Sequence, residues 1–152
     1  MDSKWDRRYW DLAELVSTWS KDPNAQVGAI ITSARGGVNA IGYNGFPAGV
    51  EDDERLSDSQ VKNEMVVHAE QNAVLIAGEA ARGATIYVAG KPVCSRCAGV
   101  IIQAGIRRVV AMDPEKSDEE SKWRSVGVLA MNMLREASLT VDFMESPPKK
   151  QE

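Results

Sequence analysis

The stretch "ATIYVAGKPVCSRCAGVIIQAGIRRVVAM", residues 84–112, sets two short apolar runs around a longer amphipathic one. "ATIYVAG", 84–90, has the length and the β-branched and aromatic content of a strand. "CSRCAGVIIQAGI", 94–106, predicts a helix closed by Gly105, because glycine suits the left-handed turn that ends a helix. "RRVVAM", 107–112, predicts a second strand. It is apolar without interruption after its two arginines, so it is expected at the centre of the sheet. Strand, helix, strand is the building unit of a layered α/β domain.

The flanks extend that pattern. Trp5, Tyr9, Leu12, Leu15, Val16 and Trp19 recur at helical spacing from Trp5 to about Ser20, and Pro23 in "SKDPN" breaks the helix. "QVGAIIT" and "VNAIGYNG", joined by the glycine turn "SARGG", predict a hairpin. "FPAGVEDDERLSDSQ" reads as a long polar loop of the kind that borders a site. "NEMVVHAEQNAVLIAGEA" predicts one helix ending near Arg82 and Gly83. "SDEESKWRSVGVLAMNMLREA" predicts an amphipathic helix with acidic residues at its start and Arg135 near its end, as the helix dipole favours. "LTVDFM" predicts a last strand, and "SPPKKQE", 146–152, a polar tail expected to be disordered. The order predicts helices on both faces of a mixed sheet of about five strands, in one domain over 1–145.

Composition narrows the function. The chain has 152 residues, 43% of them hydrophobic and 26% charged, as in ordinary globular proteins. A net charge of -4 argues against a broad nucleic-acid footprint, which needs a basic face. No apolar run approaches the roughly 20 residues that span a bilayer. The N-terminus "MDSKWDRRYWDLAELV" carries charges where a signal peptide would be apolar, so a cytoplasmic location with no membrane partner is expected. Two cysteines three residues apart, Cys94 and Cys97, suggest a metal site or a redox pair rather than a disulfide framework.

The cysteines stand where a strand gives way to a helix, and the helix dipole favours thiolates there. Thiolates are good zinc ligands, and His68, the single histidine, offers a third donor. Structural zinc sites fill all four positions with protein, whereas catalytic sites leave one for water. With no other cysteine or histidine to close the site, zinc here is expected to be catalytic unless a carboxylate takes the fourth place. Glu70 follows His68 by two residues. On a regular helix the two would point about 200° apart. They can share a site where they straddle the helix N-terminus, and Glu70 can then take a proton from a zinc-activated water and deliver it elsewhere. His-x-Glu followed by Pro-Cys-x-x-Cys is the signature of zinc nucleobase deaminases. The competing readings are a structural histidine, a solvated helical glutamate and a thioredoxin-like redox Cys-x-x-Cys.

Four segments, "SKDPNAQVGAII", "GYNGFPAG", "HAEQNA" and "CSRCAGVIIQAGIRRVV", resemble the cytidine and deoxycytidylate deaminase superfamily, most of all its deoxycytidylate (dCMP) deaminase branch. The resemblance runs from about Trp19 to Met112 and implies the three-layer α/β/α cytidine deaminase-like fold. It implies one zinc per chain held by His68, Cys94 and Cys97, with Glu70 as proton shuttle in the hydrolytic deamination of dCMP to dUMP and ammonia. Asn44 would bond the sugar, Ala69 would contact the substrate, and Lys21, with Arg55 and Arg96 behind it, would meet the phosphate. The resemblance also implies dCTP and dTTP as effectors and a homo-oligomer, dimer or hexamer. One departure is plain: the usual motif has proline directly before the first cysteine, and here Val93 stands between Pro92 and Cys94. The alternative is a deaminase of another cytosine nucleoside or nucleotide, such as deoxycytidine, modified dCMP or dCTP. The competing class is a non-catalytic zinc or redox protein.

Overall fold

The structure is a computed structural model that describes residues 3–147. Helix α1 (Lys4–Ser17) opens on a capping box in which Ser3 Oγ accepts from the Asp6 amide and Asp6 Oδ2 from the Ser3 amide. It is followed by the hairpin β1 (Gly28–Thr32) and β2 (Val38–Tyr43), helices α2 (Ser59–Met65) and α3 (Ala69–Ala77), strand β3 (Thr85–Ala89), helix α4 (Ser95–Gln103), strand β4 (Arg108–Ala111), helix α5 (Lys122–Glu136) and strand β5 (Thr140–Phe143). The sheet order is β2-β1-β3-β4-β5. β1 runs antiparallel to β2 and β3, while β3, β4 and β5 are mutually parallel, so the sheet is mixed as expected.

Alternation along the strands divides the core in two. Ile30, Tyr87, Ala89 and Val110 point to one face, where α1 lays Trp10, Ala13 and Val16 over them. Ala29, Ile31, Ile86, Val88 and Val109 point to the other, under α3, α4 and α5. The three layers are therefore α1, the sheet, and the remaining long helices. β4 is an interior strand rather than the middle one, which is β3.

Three boundaries differ from the sequence expectation. The helix expected over 63–80 is two helices, parted at Val66, Val67 and His68. Two consecutive β-branched residues favour extended backbone, and Val67 exchanges both main-chain hydrogen bonds with Gly45. The polar loop over 46–60 carries a 3-10 turn at Glu54–Ser57 and the first residues of α2. The acidic run 118–120 precedes α5, whose cap is Ser121, whose hydroxyl accepts from the Trp123 amide. Of the expected disordered tail, residues 148–152 lie outside the described residues.

Candidate active site

The break before α3 makes the site. His68 is the N-cap of α3, in extended conformation, and Glu70 lies in the first turn. The pair thus straddles a helix N-terminus, the arrangement that lets residues two apart face one cleft. The His68 amide donates to Gln71 Oε1 at 2.8 Å, which holds the turn. Gly42 of β2 allows α3 to sit so low on the sheet: a Cβ there would lie 2.3 Å from the Ala69 carbonyl oxygen and 2.6 Å from the Ala73 amide.

Cys94 is likewise the N-cap of α4, and its Sγ accepts from the Cys97 amide at 3.5 Å. His68 Nδ1 stands 3.2 Å from Cys97 Sγ and 3.6 Å from Cys94 Sγ. A zinc ion bonded tetrahedrally to imidazole nitrogen and thiolate sulfur sets its nitrogen and sulfur donors about 3.5 Å apart. The three residues therefore fit zinc, and among the described residues they are the one such cluster of metal-ligating side chains. Cysteine and histidine at two converging helix N-termini also suit a dication that needs deprotonated sulfur.

The electrostatics of the cluster agree. Hydrogen bonding from Cys97, and then from His68, pulls the Cys94 thiol down to about 4. The thiolate of Cys94 raises His68 in turn. Cys97, buried against that thiolate, is pushed up, since two adjacent anions without a cation repel. Glu70 is 4% exposed, and burial pushes its carboxyl up.

His68, Glu70 and Cys94 open on a cleft of about 510 Å³ that Asn44 and Ala69 also line, with Cys97 buried behind them. Asn44 ties the end of β2 to the segment before β1: its Oδ1 accepts from the Val27 amide at 2.9 Å and its Nδ2 donates to the Ala25 carbonyl at 2.7 Å. Ala69, the first residue of α3, is fully buried, and a backbone N–H at that position has no partner inside its helix. Val93 is buried in the core and Pro92 lines the cleft, so the extra residue before Cys94 is absorbed beneath the site.

The structure does not bring Lys21 or Arg55 to the cleft. Lys21 is exposed and pairs with Asp52 at 2.8 Å, and Arg55 pairs with Asp53. Its neighbour Asp22 is the buried partner of that loop: Oδ1 accepts from the amides of Asn24 and Ala25 and from Lys62 Nζ at 3.0 Å. Arg96 does line the cleft, with Lys62, Lys91, Lys122 and Trp123. Sequence reasoning missed these last four and Asp22. The Asp-Pro-Asn run is the signature of an Asx turn and was the one available signal for Asp22.

Fold and site together define an α/β metalloenzyme: two sulfurs and one nitrogen for a metal, one buried carboxylate beside them, one cleft. The profile of the cytidine and deoxycytidylate deaminase zinc-binding region matches residues 3–113. An uncharacterised deaminase in the luxG 3′ region of Aliivibrio fischeri is 38% identical over 145 residues, 95% of this chain and 96% of that one. Deoxycytidylate deaminase of Homo sapiens is 38% identical over 124 residues, 77% of this chain and 69% of the human one. The crystal structure of dCMP deaminase from the cyanophage S-TIM5 in complex with dCMP and dUMP aligns with a TM-score of 0.74 at 26% identity, over 95% of this chain and 99% of that one. The chain belongs to the cytidine and deoxycytidylate deaminase family, whose zinc-binding region it contains.

Proposed function

We propose that this chain is a hydrolytic deaminase that converts dCMP and water to dUMP and ammonia, acting as a single domain over 1–145. The observation that carries this reading is the buried carboxylate of Glu70 beside the trio His68, Cys94 and Cys97, in a cleft wide enough for a nucleotide. Kinship to deoxycytidylate deaminases supports the choice of substrate.

His68, Cys94 and Cys97 would hold the zinc. Bound zinc lowers the pKa of a water to about 7 and so supplies a nucleophile at neutral pH. Glu70 takes a proton from the attacking water and passes it to N3 of cytosine as the C4–O bond forms. It then carries the second proton to the amino group, which leaves as ammonia when the C4–N bond breaks. Burial favours this duty, because a carboxyl raised above its ordinary value holds a proton more readily than an exposed one. Asn44 and Ala69 line the cleft, and the remaining hydrogen-bonding capacity of the Asn44 amide and the Ala69 N–H would meet the nucleoside.

The chain also works as a homo-oligomer in this proposal. Leu75 and Ile76 on the outer face of α3 are 75% and 66% exposed, next to an edge strand whose Tyr43 is open. Exposed apolar groups beside one another favour association. No described helix is long and apolar enough to cross a membrane.

The deciding experiment is ammonia release by zinc-loaded protein offered dCMP, CMP, deoxycytidine and dCTP in parallel, with and without dCTP and dTTP as effectors. Turnover of dCMP above the other three is the expected result. Turnover of none, from protein carrying one zinc per chain, overturns the proposal.

A further inference from the structure

Three cations of the cleft are left unexplained by the deamination chemistry. Lys91, Arg96 and Lys122 line the cleft, and none of the three has a carboxylate partner among the described residues, whereas Lys62 is paired with Asp22. The chain as a whole carries a net charge of -4, so three unneutralised cations in one cleft run against its average. Besides Glu70 and the paired Asp22, Glu64 is the one carboxylate that lines the cleft.

Tertiary packing gathers these cations. Lys91 precedes Pro92 in the segment that leads to Cys94, while Lys122 and Trp123 start α5. The two segments meet because residue 127 is glycine: a Cβ there would stand 3.3 Å from Pro92 Cβ and 2.5 Å from Pro114 Cβ. Both lysines then approach the Trp123 ring, with Lys122 Nζ 5.3 Å and Lys91 Nζ 5.9 Å from its centre. An ammonium on an indole face is steadied without being neutralised. Arg96, between the two cysteines in sequence, lines the same cleft and carries a planar guanidinium suited to phosphate oxygens.

We propose that Lys91 and Lys122, held at Trp123, form with Arg96 of the same cleft the subsite that takes the 5′-phosphate and makes this chain select nucleotides over nucleosides. The inference rests on the reading of the cleft as a cytosine-nucleotide site. It names residues that supply the phosphate contact in place of Lys21, whose ammonium is turned to Asp52. A dianion bound by two ammonium groups and a guanidinium makes charge-assisted contacts, the stronger kind of hydrogen bond.

The test compares the wild type with K91Q/K122Q and K91R/K122R in two arms. In the first, kcat/KM is measured for dCMP and deoxycytidine on zinc-loaded protein. The dCMP value is expected to fall on the order of 100-fold in the glutamine variant, with deoxycytidine unchanged and most of the dCMP rate kept by the arginine variant. The second arm needs no turnover: calorimetric titration with dUMP and deoxyuridine. The wild type should bind dUMP more tightly, with an affinity that weakens as salt rises. The glutamine variant should bind the two alike. If dUMP is not preferred by the wild type, or if the glutamine variant keeps the preference, the subsite assignment is overturned. Absence of turnover with the dUMP preference intact and lysine-dependent would instead sink the deaminase reading and leave the subsite standing.

Discussion

Glu70 is a carboxylate that folding has taken out of water and set at the start of a helix, two residues after the histidine that would hold the metal. A surface glutamate would be replaceable, but one that must move protons is not. Glu70→Gln keeps the shape and removes the proton. It is expected to lower dCMP turnover on the order of 1000-fold, with zinc content by atomic absorption unchanged. Equal activity in the variant would show that the carboxylate only fills space. The gathering of His68, Glu70, Cys94 and Cys97 was legible in the sequence because metal and proton chemistry admit few residue types, and because the spacing placed both halves at helix starts. Lys21 shows the limit. It and Asp22 are adjacent and both charged, and only the fold decides that the aspartate turns inward to Lys62 while the lysine meets solvent.

At the scale of elements, the loop before β1 and helix α2 are riveted by that inward pair. The side chains of Lys62 and Asp22 are 6% and 4% exposed, and Asp22 also anchors the turn at Asn24 and Ala25. Removing one partner strands a buried charge. Lys62→Met is expected to cost about 3–5 kcal/mol in urea unfolding, and Lys62→Met with Asp22→Asn to recover part of that loss in a double-mutant cycle. A change confined to substrate affinity, with no loss of stability, would contradict this. The strands and α4 could be read from periodicity, since each is a single run with its own stop signal. The division of α2 from α3 could not, because Val66 and Val67 continue an apolar pattern that suits a helix equally well. Their extended backbone is decided by Gly45, a residue distant in sequence. The same reason hid Lys122 and Trp123, which reach the cleft only because α5 folds back onto Pro92.

For the molecule as a whole, the helix on the far face is fastened by charge. Asp6 of α1 is buried, accepts from Tyr87 Oη at 2.7 Å, and takes Arg108 Nη1 and Nη2 at 2.8 and 3.0 Å. Burial alone would raise its carboxyl, but the hydrogen bonds from Arg108, Tyr87 and Ser3 outweigh it and hold the group well below the usual carboxylate range. A folded-state pKa below the unfolded value of about 3.9 adds stability that is fully present above about pH 5 and is lost as pH falls. Urea midpoints from pH 7 to pH 3 should therefore drop more steeply for the wild type than for Asp6→Asn, which is less stable at pH 7 to begin with. Parallel curves would remove Asp6 from the acid response. Association belongs to this scale too. Leu75→Glu with Ile76→Glu should shift the mass measured by light scattering toward a single chain, while a variant of the exposed Leu129 on α5 should not. An unchanged mass would place the contact elsewhere or deny it.

The exchange of main-chain hydrogen bonds between Gly45 and Val67 works as a clasp at the neck of an excursion. The chain leaves at Gly45, wanders through the polar segment, and returns at Val67, one residue before the histidine. The excursion's last part, α2, is fixed to the cleft by Lys62, and the clasp shields His68 from what happens farther out. Over the outer part of the excursion, residues 47–57, the polypeptide is free to lengthen, shorten or acquire new decorations over generations, so kin of this chain can vary in length there while the chemistry stays in place.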